Sequence, residues 1–198
     1  MNLHKSFQLA VIGGGAAGFM GSIKAAEDGI SSIVVLEATT KTLEKVRISG
    51  GGRCNVTNAC WDPLDLVLNY PRGKNPLIGA FSRFATFEAV EWFKDRGLEL
   101  VKEEDGRMFP TSNSSLEVIK CLKDSAIKNG VIICTNKNVI NVKYLDKQGF
   151  QIKCKDNTLF QADKVLMATG GNIKGHKIAS DLGHKIIPTV PSLFSFKL

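Results

Sequence analysis

The feature that most constrains the fold lies near the start of the chain. A short apolar run, Leu9-Ala10-Val11-Ile12, passes directly into Gly13-Gly14-Gly15-Ala16-Ala17-Gly18. The run is apolar without alternation, as a strand buried on both faces must be. The glycines fit the spacing G-x-G-x-x-G, which alone is weak, because a glycine-rich turn is often only a turn. Here a helix pattern follows from Ala16 to Asp28, with Phe19, Met20, Ile23 and Ala26 at helical spacing and Gly29 as the stop. Ile33-Val34-Val35-Leu36 is the next buried strand. Strand, helix and strand in so short a stretch make a βαβ unit with a right-handed crossover.

In that setting each glycine has a physical task. Gly13 permits a tight turn, Gly15 lets backbone approach a pyrophosphate, and Gly18 lets the helix pack on the strand. The phosphates would then meet free N–H groups, including those of Ala16 and Ala17, at the positive end of the helix. Glu37 ends the second strand. A carboxylate there accepts hydrogen bonds from ribose hydroxyls and repels a 2′-phosphate, so the site suits FAD or NAD rather than NADP. Between FAD and NAD the pair does not decide.

Further along, residues 39–80 are polar, glycine-rich and irregular, which reads as a long functional loop. Helices are expected over 86–96 and 114–129, the second with Ser115 as N-cap and Gly130 as its stop. Residues 131–162 switch to period two with turns at Asp146–Gly149 and Asp156-Asn157, which reads as an antiparallel meander. Lys164 to Ala168 is another buried strand, running into Thr169-Gly170-Gly171, and a short helix follows over 175–182.

Within the long loop, Ser49-Gly50-Gly51-Gly52-Arg53-Cys54-Asn55-Val56-Thr57-Asn58 is dense in glycine and hydrogen-bonding side chains. Glycines admit positive φ and close approach of backbone to a flat or anionic ligand. Arg53 offers a charged planar fork, and Asn55, Thr57 and Asn58 can both donate and accept. Cys54 beside Arg53 is a candidate for an activated thiol, although small-residue packing explains it as well. On physical grounds alone a well-capped surface loop is the competing reading.

The stretch KVRISGGGRCNVTN resembles the hallmark of the BaiN/RdsA-like NAD(P)/FAD-dependent oxidoreductases, a group of glutathione-reductase-like flavoproteins. Glu104 to Pro110, Val165 to Gly171, and Leu182-Gly183-His184 through Pro191-Ser192-Leu193 resemble further segments of that family. The resemblance implies an α/β fold: a Rossmann-type FAD-binding domain with an inserted antiparallel β-meander, incomplete at its C-terminal side. Residues 1–185 would be the N-terminal part of a split FAD domain, and 186–198 the start of a substrate domain. It implies that Gly13, Gly15, Ala17, Gly18 and Glu37 hold the ADP half of FAD. Arg53, Asn55, Thr57 and Asn58 would line the flavin and pyrophosphate. Thr169, Gly170 and Gly171 would form a second turn on the cofactor, and Val139 would hold adenine through its main chain. The chemistry implied is hydride transfer from a nicotinamide donor, NAD(P)H, through FAD to a small organic acceptor. No catalytic acid or base is assigned, because the flavin carries the chemistry. The loop from Asn172 to Leu182 is shorter than the usual family form. Two other readings compete: a remnant that binds nucleotide weakly, and a basic module that binds RNA.

Charge bears on the last of these. Residues 1–119 hold 13 basic and 14 acidic groups, whereas 120–198 hold 13 basic and 5 acidic. The lysines are scattered singly without interleaved aromatics, which favours an ordinary solvated surface over a nucleic-acid patch. Five cysteines with no CxxC pair argue against a zinc ribbon or a disulfide framework and for a reducing, cytoplasmic setting. No metal site is expected, and no apolar run approaches the roughly 18 residues of a transmembrane helix.

Overall fold

A computed structural model describes residues 5–190. Strand β1 (Lys5–Ile12) leads through the glycine turn into α1 (Ala16–Glu27) and β2 (Ile33–Leu36). Then come α2 (Glu44–Ile48), a 3₁₀ turn at Ser49–Gly52, β3 (Thr57–Asn58), α3 (Pro63–Leu66), α4 (Lys74–Phe81) and α5 (Thr86–Lys94). Strands β4 (Leu100–Lys102) and β5 (Arg107–Pro110) precede α6 (Ser115–Lys128) and β6 (Ile132–Cys134). The chain continues through β7 (Val139–Leu145), β8 (Gly149–Cys154), β9 (Leu159–Met167) and α7 (Ile173–Asp181).

The main sheet has six strands in the order β6-β2-β1-β9-β8-β7. β6, β2, β1 and β9 run parallel, and β7, β8 and β9 are antiparallel neighbours. A second, three-stranded antiparallel sheet has the order β3-β5-β4. Alternation along β1 and β2 divides the core in two. Leu9, Val11, Ile33 and Val35 join Phe19, Ile23 and Leu122 on one face. Ala10, Ile12, Val34 and Leu36 join Val142, Ile152 and Ile178 on the other. Both faces of the parallel strands are therefore covered, which is why they read as continuous apolar runs.

The βαβ unit forms as expected, with β1 longer by four residues. Other expectations need correction. The meander begins at Val139, not at 131: Ile132–Cys134 pairs parallel with Val34–Leu36 at the sheet edge. Period-two alternation says that a strand is half-buried, not which strand it pairs with. The final meander strand and the strand after it are one element, β9, which serves β8 on one edge and β1 on the other. The 39–80 segment is largely short helices, too brief for periodicity to show. α3, for example, is set locally by Pro63 at its first position and by the Asp62 side chain, which accepts from the Leu64 N–H. β4 and β5 are too short, at three and four residues, for alternation to mark them in the sequence. The N-cap of α6 is Ser114, whose hydroxyl accepts from the Leu116 N–H at 3.3 Å. Ser115 is buried and donates instead to the Arg47 carbonyl at 2.8 Å. The segment 186–198 is described only to Val190; Pro191-Ser192-Leu193 lies outside the described residues.

Candidate functional site

The parallel register brings three sequence-distant segments to one edge of the sheet. Ile12 stands beside Leu36 on one side and Met167 on the other. The chain leaves β1, β2 and β9 at the same level, as Gly13, Glu37 and Ala168. Main-chain bonds continue the ladder past the strand ends: Gly13 N–H to the Leu36 carbonyl, Ala168 N–H to the Ile12 carbonyl and Glu37 N–H to the Cys134 carbonyl, each 2.9 Å. The carboxyl ends of parallel strands in an open α/β sheet are where ligands bind.

The glycine turn is held by its neighbours. Gly13 has φ +113°, and a Cβ there would stand 2.5 Å from the Ala168 carbonyl oxygen. A Cβ at Gly18 would stand 2.0 Å from the Gly13 oxygen, so α1 sits against the turn at a distance only glycine allows. Gly15 differs: nothing lies within 4 Å of its Cβ position. Gly15 is the N-cap of α1 and supplies no side-chain hydrogen bond, and Ala16 and Ala17 are exposed. The helix therefore presents its first N–H groups uncapped by any side chain. Such an end attracts anions by about 0.3–1 kcal/mol per charge, before hydrogen bonds to the N–H groups are counted.

Glu37 faces this turn. Its Oε2 accepts from the Gly14 N–H at 2.8 Å, and its Oε1 accepts from the Thr39 N–H and hydroxyl at 2.9 Å each. The carboxylate is thereby fixed in place and keeps a lone pair on Oε2 for a further donor. Its main chain is pinned as well, since the Lys137 N–H donates to the Glu37 carbonyl at 2.7 Å.

These groups line one cleft of about 1240 Å³. Of the residues singled out from sequence, Gly13, Gly15, Ala16, Ala17, Glu37, Asn55, Val139, Thr169, Gly170 and Gly171 all contribute to its wall. Val139 is buried at the start of β7, beside the register shift to Asn141. Gly18 lies beneath the turn and acts by allowing contact, not by lining. Arg53, Thr57 and Asn58 are not in the wall. Thr57 and Asn58 form β3 and pair with Met108 and Arg107. Arg53 Nη1 bonds Glu103 at 2.5 Å, and the guanidinium lies 4.0 Å from the centre of the Phe109 ring.

Cys54 is buried, in keeping with the packing reading over the activated thiol. Burial pushes the thiol up, against a smaller opposing effect of the Ser49 hydroxyl. Sequence reasoning missed the cleft's cations, Lys41, Lys45, Lys137 and Lys174, which outnumber its carboxylates Glu37 and Glu44. A Cβ at Gly170 would lie 4.0 Å from Lys45 Nζ, so α2 and the second glycine turn face each other. No motif marks these lysines; they come from four separate segments, the loop after β2, α2, the β6–β7 connection and α7. Among the described residues no cluster of His, Cys, Asp and Glu could hold a metal ion, and no helix is long and apolar enough to cross a membrane.

Comparison with known proteins adds to this geometry. The family model described as HI0933-like protein Rossmann domain matches residues 7–190. The chain is 31% identical to the 3-dehydro-bile acid delta(4,6)-reductase of Clostridium scindens, covering 96% of this chain and 47% of that protein. It is 28% identical to the ribosomal RNA dihydrouridine synthase of Escherichia coli, covering 97% of this chain and 48% of that protein. The chain thus spans about half the length of these curated relatives. Among solved structures, Thermovibrio ammonificans THI4 superposes with a TM-score of 0.63 at 14% identity, over 92% of this chain and 65% of that one. The 3-ketosteroid-delta4-(5alpha)-dehydrogenase of Rhodococcus jostii gives 0.61 at 16% identity, over 82% and 45%. At such identities these two likenesses establish the fold alone.

Proposed function

The chain belongs to the HI0933-like protein Rossmann domain family, and from that premise we propose that it is the FAD-holding part of an oxidoreductase. The observation that carries this reading is the convergence of an uncapped helix end, an anchored Glu37 and a second glycine turn on one cleft. The residues present fit the dinucleotide. The open space at Gly15 and the exposed N-terminus of α1 suit its pyrophosphate, and Glu37 suits its ribose. Lys45 and the turn Thr169-Gly170-Gly171 would close the opposite wall, with Val139 toward the adenine and Asn55 on the loop side.

When bound, the flavin supplies a centre that accepts and passes on a hydride. The protein's residues bind it and set its orientation. We propose NAD(P)H as donor and a small organic molecule as acceptor, in keeping with the reductase named among the relatives. A small-molecule partner also suits the placement of the lysines, of which Lys120, Lys137 and Lys177 each pair with a nearby aspartate, Asp124, Asp156 and Asp181, instead of joining an open basic patch.

The test is FAD titration of the purified protein, parent against Glu37→Ala, with thermal melting run alongside. Loss of a fixed charged acceptor should weaken FAD by about tenfold or more, since hydrogen bonds to charged groups contribute about 1.5–3 kcal/mol. Undiminished FAD affinity in the variant would remove the assignment of Glu37 to the ribose.

A further inference from the structure

The Ser49–Cys54 loop runs largely through the left-handed region. Gly50, Gly51 and Gly52 have φ of +54°, +66° and +87°, and Cys54, a residue with a side chain, has φ +61°. Glycine takes these angles freely, whereas Cys54 keeps a positive φ only where surrounding structure holds it. Packed against the loop is the segment Glu103–Pro110, far away in sequence. A Cβ at Gly50 would stand 3.1 Å from Phe109 Cε1, so the loop wraps the edge of this buried ring. Arg53 lies over the ring, with its guanidinium carbon 4.0 Å from the centroid, and Arg107 lies 5.3 Å from it. Glu103 reaches both cations, Arg53 at 2.5 Å and Arg107 at 3.2 Å. Asn113 Oδ1 accepts from Arg53 Nη1 at 3.4 Å. The Val56 N–H donates to the Met108 carbonyl at 2.9 Å, and the Met108 N–H donates to Asn55 Oδ1 at 3.3 Å.

We infer that Arg53, Glu103 and Phe109 form a clamp that sets the shape of the glycine loop and so positions its cleft-lining members, Ser49, Cys54 and Asn55. Arg53 is a positioning residue: its charge is committed to Glu103 and its plane to Phe109, and it acts on the cleft through the loop. The effect on the cofactor rests on the reading that the cleft holds FAD; the clamp itself does not. Planar stacking and a forked contact to carboxylate are properties of a guanidinium that an ammonium lacks.

The experiment compares the protein with Arg53→Gln, Arg53→Lys and Glu103→Gln by hydrogen exchange without cofactor and by FAD titration. Both neutral variants should speed exchange across residues 50–56 while leaving β1 and β2 unchanged. Each should weaken FAD by about tenfold, equivalent to about 1.4 kcal/mol. The double variant should be no worse than either single one, since the two groups act as a unit. Arg53→Lys should restore protection only in part. Unaltered exchange in Glu103→Gln would overturn the clamp. So would a loss of FAD in Arg53→Gln that Glu103→Gln does not share, since Arg53 would then touch the cofactor itself. Faster loop exchange in a protein whose parent form binds no FAD would uphold the clamp and remove the FAD reading.

Discussion

Replacing Gly18 by alanine adds one methyl group at a place where no atom can yield. The new Cβ would stand 2.0 Å from the Gly13 carbonyl oxygen, 3.2 Å from its carbon and 3.3 Å from Val11 Cγ1. Gly13 cannot withdraw, because its own Cβ position is already 2.5 Å from the Ala168 oxygen. Helix α1 must therefore lift from β1. Overpacking costs about 1–3 kcal/mol, and backbone on both sides puts this case at the upper end. At about 2–4 °C per kcal/mol for a chain of this size, the melting temperature should fall by about 6–12 °C. Gly15→Ala is the matched control. Its φ is −90°, nothing lies within 4 Å, and the loss at the N-cap is offset by lower entropy of the unfolded chain. Its melting temperature should stay within about 2 °C of the parent. Yet its methyl group would stand in open space at a residue that lines the cleft, so FAD affinity should fall. The assay is thermal melting of both variants followed by FAD titration. A Gly18→Ala protein that melts with the parent would refute the close-packing argument. A Gly15→Ala protein that binds FAD as the parent does would refute the placement of the pyrophosphate.

Other outcomes follow from single contacts. The Lys137 ammonium, aided by Thr158, holds the Asp156 carboxyl down from 3.8 to about 2. A depressed carboxyl stabilises above its unfolded value and loses that contribution as pH falls through the folded one. The parent should therefore lose more melting temperature than Asp156→Asn between about pH 4 and pH 2, and parallel slopes would count against the pair. Burial, reinforced by the Asp156 charge, pushes the Cys154 thiol to about 11, and burial also raises Cys54 and Cys121. These three should label slowly in the folded protein at pH 8 and fully after unfolding; rapid native labelling of Cys154 would contradict its burial. Ser114→Ala should cost about 1 kcal/mol through the lost cap of α6, or about 2–4 °C in a melt. An unchanged melt would return the cap to Ser115.

The first half of the cleft was legible residue by residue. Gly13, Gly15, Gly18 and Glu37 act through backbone freedom, a helix end and a strand end, and each of these is a local property. The second glycine motif was legible as a site but not in its division of labour. Asn55 reaches the cleft, whereas Arg53, Thr57 and Asn58 are drawn away by Glu103, Phe109 and β5, partners that no spacing announces. Nor did alternation reveal that Ile132–Cys134 belongs to the parallel sheet, because burial has a period and pairing does not.

The sequence by itself determined the βαβ unit, the tight turn and the family, since φ preferences, helix periodicity and a specific motif are written in adjacent residues. Only the tertiary structure decided which groups share the cleft. Gly13, Glu37 and Thr169 meet because three parallel strands end in register, and Lys45 from α2, Lys137 from the β6–β7 connection and Lys174 from α7 reach the same cleft through packing that no local pattern announces. Backbone hydrogen bonds join groups that are nearly alike along the chain and so do not choose that register; burial of both apolar faces does, and it is settled only when strands and helices pack together.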